Sequence, residues 1–75
     1  MIKLYDPVAL LEDLPEYNLI RGQVGYVIEI YASDAYEVEF SDAKTGITYA
    51  TAVLHPDQLM LLHHAPIEKP DSSTR

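Results

Sequence analysis

The segment that most constrains the fold is the run LPEYNLIRGQVGYVIEIY, residues 14–31. Its first half is polar and contains Leu14-Pro15, where proline biases the preceding residue to extended backbone. Arg21-Gly22 is a tight-turn signal, and residues 24–31 are rich in β-branched and aromatic side chains. The segment therefore predicts a long loop, a glycine turn and a β-strand in succession.

The rest of the chain predicts further short strands. Residues 36–40 alternate strictly, with apolar and aromatic side chains on one face and Glu37 and Glu39 on the other, so one face is expected in the core and one in water. His55-Pro56-Asp57 breaks the next strand and predicts a single helical turn. The five predicted strands are 8–12, 24–31, 36–40, 47–54 and 58–62.

The first strand has an alternative. Asp6-Pro7 ahead of VALLE suits the start of a strand, where the missing N–H of proline does least harm to the ladder. The same residues resemble a helix N-cap followed by a first-turn proline and good helix formers. We predict a strand for this segment, and a helix remains the alternative.

Five short strands within about 60 residues can bury their faces by curling into a small barrel. The predicted fold is an all-β, five-stranded SH3-like barrel over residues 1–62, with a short helical turn before the last strand and a flexible tail over residues 63–75. The predicted core consists of Val8, Leu10, Leu19, Val24, Val27, Ile30, Val38, Phe40, Val53 and Leu59.

Charge narrows the choice of partner. The chain has 12 acidic and 5 basic residues, a net charge of −7, and its first 62 residues hold only three cations, Lys3, Arg21 and Lys44. Binding a phosphate backbone requires a stripe of lysines and arginines, so nucleic acid is disfavoured. An acidic surface serves either solubility or docking onto a basic protein, and both interpretations stay open.

The amino-acid composition also indicates the cellular compartment of the protein. Cysteine is absent, which removes disulfides, thiolate nucleophiles and zinc sites built on sulfur. No apolar run approaches the roughly 20 residues that a membrane crossing needs, and the N-terminus lacks the pattern of a secretory signal. A soluble cytoplasmic protein is the expectation.

No set of residues forms a recognisable catalytic, cofactor or metal constellation. Glu37 and Glu39 share a strand face, but on an open surface without a cleft they are not expected to act as an acid–base pair. His63 and His64 are adjacent and should point to opposite sides of an extended segment, and His55 has no supporting carboxylate at a suitable spacing. The sequence predicts a protein that is not an enzyme and has no cofactor.

The best candidate contact surface is the loop Leu14, Pro15, Glu16, Tyr17 and Asn18. Tyrosine is enriched at protein interfaces, and Tyr17 lies in a polar loop instead of on an alternating strand face. The alternative is that the loop packs this ring back onto the barrel. The acidic strand residues Glu29, Glu37 and Glu39 would add electrostatic attraction to a partner.

Gly22 and Gly25 are predicted to serve a turn and a close backbone approach.

These residues also carry a resemblance. Four segments of the chain are Asp13-Leu14-Pro15-Glu16-Tyr17, Arg21-Gly22 with Val24-Gly25, Tyr36-Glu37-Val38-Glu39-Phe40 and Asp57-Gln58-Leu59. Together they resemble a family of very small bacterial proteins known as a domain of unknown function, number forty-nine twenty-six. The resemblance covers residues 1–62. More distantly, the Gly25-Tyr26-Val27 start and the hairpin are similar to KOW-type SH3-like barrels of ribosomal and transcription-elongation proteins.

The two resemblances imply different partners. Members of the small family look like genes that travel beside a second small gene, which implies an antitoxin or immunity protein that caps a protein partner, one that would be basic and encoded nearby. KOW-type barrels imply contact with RNA or RNA polymerase instead. A third hypothesis is a self-associating module, because residues 47–54 are largely uncharged and two copies could pair there as a homodimer if this strand lies at an edge.

Overall fold

Five antiparallel strands form one sheet in the computed structural model, which describes residues 1–32 and 34–63. The order of the strands across the sheet is β4-β3-β2-β1-β5. Single 3-10 turns at Pro15–Tyr17 and Pro56–Gln58 interrupt the connections. The strands are β1 (Pro7–Leu10), β2 (Val24–Tyr31), β3 (Ala35–Ser41), β4 (Thr48–Leu54) and β5 (Leu59–Leu61).

The predicted all-β fold class is confirmed, including the short helical turn before the last strand. β5 returns to pair with β1, so the first and last strands are neighbours. Within the described residues no ladder joins β4 to β5, and the curled sheet is consistent with a small SH3-like barrel without being closed by backbone hydrogen bonds. The predicted tail, apart from His63, lies outside the described residues.

β1 is a strand, and the helix alternative for this segment is wrong. Val8 pairs with Gly25 of β2 on one side and with Leu61 of β5 on the other. Ladders on both sides satisfy the backbone of β1, and this tertiary pairing outweighs a local helix signal. Pro7 takes the first position of the strand, as predicted.

The core draws on every strand and on the loop between β1 and β2. Seven predicted core residues are buried, but Val24, Ile30 and Val53 are exposed, so their assignment was wrong. Val24 lies one residue before the inward-facing Gly25, and Ile30 lies near the hairpin end of the sheet. The buried hydrophobic residues are Val8, Leu10, Leu14, Leu19, Val27, Tyr36, Val38, Phe40, Ala52, Leu54 and Leu59.

In β4 the predicted face was reversed. Leu54 pairs with Tyr36 and Ala52 with Val38, and these β3 residues are buried, so Ala52 and Leu54 face the core. Val53 lies opposite Glu37 and is half exposed. Both faces of this strand are uncharged, and its own residues therefore do not reveal which face is buried.

A β-bulge in β2 decides which residues of this strand face outward. The register with β3 shifts between Val27 and Glu29, so that Ile28 is the extra residue. Gly25 and Val27 face the core before the bulge, whereas strict alternation would have placed Glu29 inward as well. The bulge instead places Glu29 on the outer face, the face turned away from the core, together with Tyr26.

Gly22 and Gly25 serve two different purposes. Gly22 has a φ of 94°, in the left-handed region where glycine is favoured. Gly25 lies where β2 approaches β3 so closely that a Cβ atom would be 2.7 Å from the carbonyl oxygen of Glu39 and 2.9 Å from a ring carbon of Phe40. The first position requires an unusual backbone conformation, and the second requires the absence of a side chain.

Candidate functional site: the acidic face of the sheet

The charged residues of the sheet are gathered on its outer face. The described strands contain Glu29, Glu37 and Glu39 and neither lysine nor arginine. All three carboxylates lie on the outer face of β2 and β3, among exposed aromatic and aliphatic side chains. We call this surface the acidic face, and it consists of Tyr26, Glu29, Tyr31, Glu37, Glu39, Thr51 and Val53.

One row of the acidic face crosses three strands. Tyr26 of β2, Glu39 of β3 and Thr51 of β4 are successive cross-strand partners. The hydroxyl of Thr48 donates a hydrogen bond to the Glu39 carboxylate. Glu39 is half-buried in this row, while the Tyr26 side chain is exposed.

The second row contains two carboxylates side by side. Glu29 is the direct partner of Glu37, and Glu37 is the direct partner of Val53. Directly opposite residues on neighbouring antiparallel strands have Cβ atoms about 4.5–5.5 Å apart, and like charges in that position are destabilising. This row therefore concentrates negative charge at a cost to the stability of the sheet.

Tyr31 is held in this negative environment by hydrogen bonding. Its hydroxyl donates to Oε1 of Glu37 at 2.5 Å. That hydrogen bond raises the pKa of Tyr31 above 10.0, and partial desolvation and the charges of Glu37 and Glu29 act in the same direction. The raised pKa of Tyr31 extends to higher pH the range in which its phenol is protonated and donates to the carboxylate.

The acidic face combines two groups that favour the same kind of ligand. Carboxylates bind ammonium and guanidinium groups through charge-assisted hydrogen bonds. The rings of Tyr26 and Tyr31 are exposed beside them and can attract a cation through their π faces or cover apolar stems of lysine and arginine. The chemistry of this surface fits basic side chains of a protein.

The loop predicted as a contact surface needs one correction. Leu14 is 4% exposed, and its N–H donates to the carbonyl of Leu19 at 2.9 Å, so its side chain belongs to the core. The following residues, Pro15, Glu16, Tyr17 and Asn18, are exposed, with Tyr17 at 39%. A contact role for these four residues remains a prediction.

The loop ends next to one end of the acidic face and not beside the Glu29–Glu37 row. Gly22 donates its N–H to the carbonyl of Leu10, and Leu10 donates to that of Gln23, which anchors the end of the loop at the start of β2. Glu29 lies five residues beyond Val24, about 16 Å along the strand at 3.3 Å per residue. Tyr26, the partner of Glu39, lies only two residues beyond Val24, so the loop ends near the Tyr26–Glu39 row and far from the Glu29–Glu37 row.

Sequence reasoning identified the acids of this face but missed its aromatic and aliphatic members. Of the six tyrosines in the chain only Tyr17 was singled out as a contact residue, and Tyr26 and Tyr31 were assigned to no face. Val53 was placed in the core. The bulge at Ile28 carries no clear signal in the residues themselves, and it is the feature that brings Tyr26 and Glu29 to one face.

Comparison with known proteins identifies a family. The family model described as Domain of unknown function (DUF4926) matches residues 4–61, which include all five strands and the whole acidic face. The chain belongs to this family. The resemblance predicted from the sequence is thereby confirmed at the level of the family. Neither the curated proteins nor the solved structures include a significant match to the chain.

The histidines of this family member have no metal-binding arrangement in the part of the chain that the structure describes. The Nδ1 atom of His55 lies 2.8 Å from the carbonyl oxygen of Asp34, which links the turn after β4 to the β2–β3 hairpin. His63 is exposed, and His64 lies outside the described residues. Among residues 1–32 and 34–63, no helix has the length and hydrophobicity of a membrane-spanning segment.

Proposed function

We propose that this domain acts by binding a basic protein through its acidic face, as an antitoxin or immunity protein binds a partner encoded nearby. The domain would act by covering the functional surface of that partner, without chemistry of its own. The surface consists of Glu29, Glu37 and Glu39 together with the exposed rings of Tyr26 and Tyr31.

The observation that carries this proposal is the direct pairing of Glu29 with Glu37. Two carboxylates opposite each other reduce the stability of the isolated domain, since like charges in this position repel. A lysine or arginine placed between them would remove that repulsion and gain charge-assisted hydrogen bonds. The arrangement is unfavourable alone and favourable in a complex with a cationic partner.

The charged and aromatic parts of the face would have different roles in binding. The net charge of −7 would steer a basic partner and raise the association rate. The tyrosine rings would supply the desolvated contacts that slow dissociation, as aromatic anchors commonly do. The same distribution of charge disfavours the KOW-type alternative, because Lys3, Arg21 and Lys44 all lie outside the described strands.

A pair of charge-matched variants tests the proposal. The probe is the product of the adjacent reading frame, purified and titrated against the domain. E29Q/E37Q changes the acidic face, whereas E12Q/D57N removes the same number of charges from exposed positions outside both the acidic face and the predicted contact loop. We expect the first variant to weaken binding at least tenfold and the second to change it by less than about threefold, which corresponds to under 1 kcal/mol. Equal losses, or binding of single-stranded RNA by the unmodified domain, would contradict the proposal.

A further variant examines the loop. Tyr17→Ala removes a partly exposed ring from the loop that precedes β2. If the loop takes part in the same complex, this change weakens binding on the scale of an aromatic anchor, about 2 kcal/mol. An unchanged dissociation constant would confine the interface to the acidic face.

A further inference from the structure

The strand β4 forms one edge of the sheet. It lies at one end of the strand order and consists of seven residues, TYATAVL, without charge, proline or glycine. Alternate residues of an edge strand direct their N–H and C=O groups away from the sheet. Within the described residues, the backbone groups of β4 make no hydrogen bond other than those of its ladder with β3.

The two edges of the sheet differ in how much strand backbone they offer for pairing. β5 has three residues and follows the turn that begins at Pro56, so it offers little backbone for pairing. β4 is more than twice as long and exposes the side chains of Tyr49 and Val53 by about half. Its register with β3 shifts between Phe40 and Ser41, which makes Tyr49 the extra residue, and residues 50–54 are regular. The hydroxyl of Tyr49 accepts a hydrogen bond from Nε2 of Gln23 at 3.0 Å.

We propose that β4 pairs antiparallel with β4 of a second copy of this chain, about a two-fold axis at Thr51. Residue 51 is the midpoint of a strand that runs from 48 to 54, so only this register pairs all seven residues. It places Tyr49 opposite Val53 of the second copy, at both ends of the new ladder. Aromatic and β-branched residues are favourable cross-strand partners, and both side chains lose exposed surface.

The distribution of charge favours a second copy at this edge over a basic partner. A cationic protein would be attracted to the carboxylates of the acidic face, whereas β4 carries no charge that would select it. In the dimer, each Glu39 lies on β3, next to the β4 strand of its own copy. The two Glu39 residues are therefore three strand spacings apart, about 14 Å. That separation exceeds the Debye length of about 8 Å at physiological ionic strength.

Pairing at β4 would join the two sheets and their outer faces. The strand order would run from β5 of one copy through both β4 strands to β5 of the other. The two acidic faces would lie side by side, and a partner with two basic sites could contact both. The dimer itself does not depend on the proposed function, because it uses the edge of β4 and not the acidic side chains.

Cross-linking through a single introduced cysteine tests the register. The chain has no cysteine, so each variant carries one thiol. Thr51→Cys would place the two thiols opposite each other on the axis, where the Cα–Cα distance of about 4.5–5.5 Å suits a disulfide. Val24→Cys is the matched control, because it is an exposed outer-face residue of β2 and would lie five strand spacings, about 24 Å, from its copy.

Mild oxidation of T51C should give a covalent dimer, and V24C should remain monomeric. Sedimentation equilibrium of the unmodified chain should show a mass rising with concentration from 8.5 kDa toward twice that value. Added salt should tighten the dimer by screening the −7 charge of each copy, whereas it should weaken binding of a basic partner. Equal cross-linking of both variants, or a monomer at the highest soluble concentration, would overturn the proposal.

Discussion

Glu29 of β2 lies directly opposite Glu37 of β3 on the outer face of the sheet. The bulge at Ile28 creates this relationship, since strict alternation after Val27 would have directed Glu29 toward the core. Folding thereby places two negative charges side by side and leaves both accessible to a partner. The arrangement has consequences for stability that can be measured without knowledge of that partner.

Replacing Glu29 by glutamine should stabilise the domain. The substitution removes one of the two opposed charges and preserves the size and polarity of the side chain. We expect the free energy of unfolding to rise by about 0.2–1 kcal/mol, measured by urea denaturation at low salt, and the gain to shrink as salt is added. Glu16→Gln, in the exposed loop, is the control and should have no effect of this size. A loss of stability in E29Q would show that the carboxylates do not oppose each other in solution.

Replacing Gly25 by alanine should destabilise the contact between β2 and β3. The added Cβ would lie 2.7 Å from both the Glu39 carbonyl oxygen and a methyl group of Val38, closer than real Cβ contacts allow. Overpacking of this kind costs about 1–3 kcal/mol, which urea denaturation would detect.

Gly22→Ala separates the effect of crowding from that of backbone conformation. No atom lies within 4 Å of a Cβ built at Gly22, so its cost of about 1–2 kcal/mol comes from the left-handed φ alone. Amide chemical shifts of residues 38–40 should change in G25A and stay near their original values in G22A. An unfolding midpoint of G25A equal to that of the unmodified chain would contradict the close approach.

Tyr31 should ionise at a higher pH than an ordinary tyrosine side chain. The hydrogen bond to Glu37 raises its pKa above 10.0, so the stabilisation it provides is complete below pH 10 and is lost as the pH rises through the folded value. Ultraviolet absorbance of tyrosinate follows the titration. Tyr31→Phe should remove a transition above pH 10, and Glu37→Gln should move that transition to lower pH. No change in E37Q would mean that Glu37 does not hold the phenol.

Asp42 should make the β3–β4 turn sensitive to acid. Its carboxylate accepts hydrogen bonds from the N–H of Thr45 at 3.0 Å and of Lys44 at 2.7 Å, and these lower its pKa below 3.8. Because the folded pKa is depressed, the stabilisation is present above pH 3.8 and is lost as the pH falls through the folded value. Carboxyl carbon shifts in an NMR titration should give a midpoint below 3.8. A midpoint at or above that value would show that the turn is open.

Local sequence pattern was sufficient to locate most of the strands. β2 was predicted with the bounds that the structure shows, because a run of β-branched and aromatic residues between turn signals has few other solutions. The buried face of β3 was also predicted correctly, since Glu37 and Glu39 alternate with Tyr36, Val38 and Phe40. In these two strands, the residues that specify the strand and its buried face are neighbours along the chain.

Local sequence pattern did not predict which residues of β2 and β4 are buried. Val24 and Val53 are hydrophobic residues that sequence reasoning placed in the core and the register places outside. Leu14 shows the reverse, because its pairing with Leu19 closes a loop whose apolar residue then turns inward. These outcomes depend on contacts between residues far apart in the chain, which a period-2 pattern does not encode.

Strand propensity and net charge are properties of the residues alone, so an all-β fold, a negative surface and the acids of its most charged region follow from the order of the amino acids. Three features follow from the folded sheet instead: Glu29 opposes Glu37, Tyr26 and Tyr31 share their face, and β4 is an edge strand. Each of these depends on which strands pair and where one strand gains an extra residue. Such choices are made by the packing of the whole sheet.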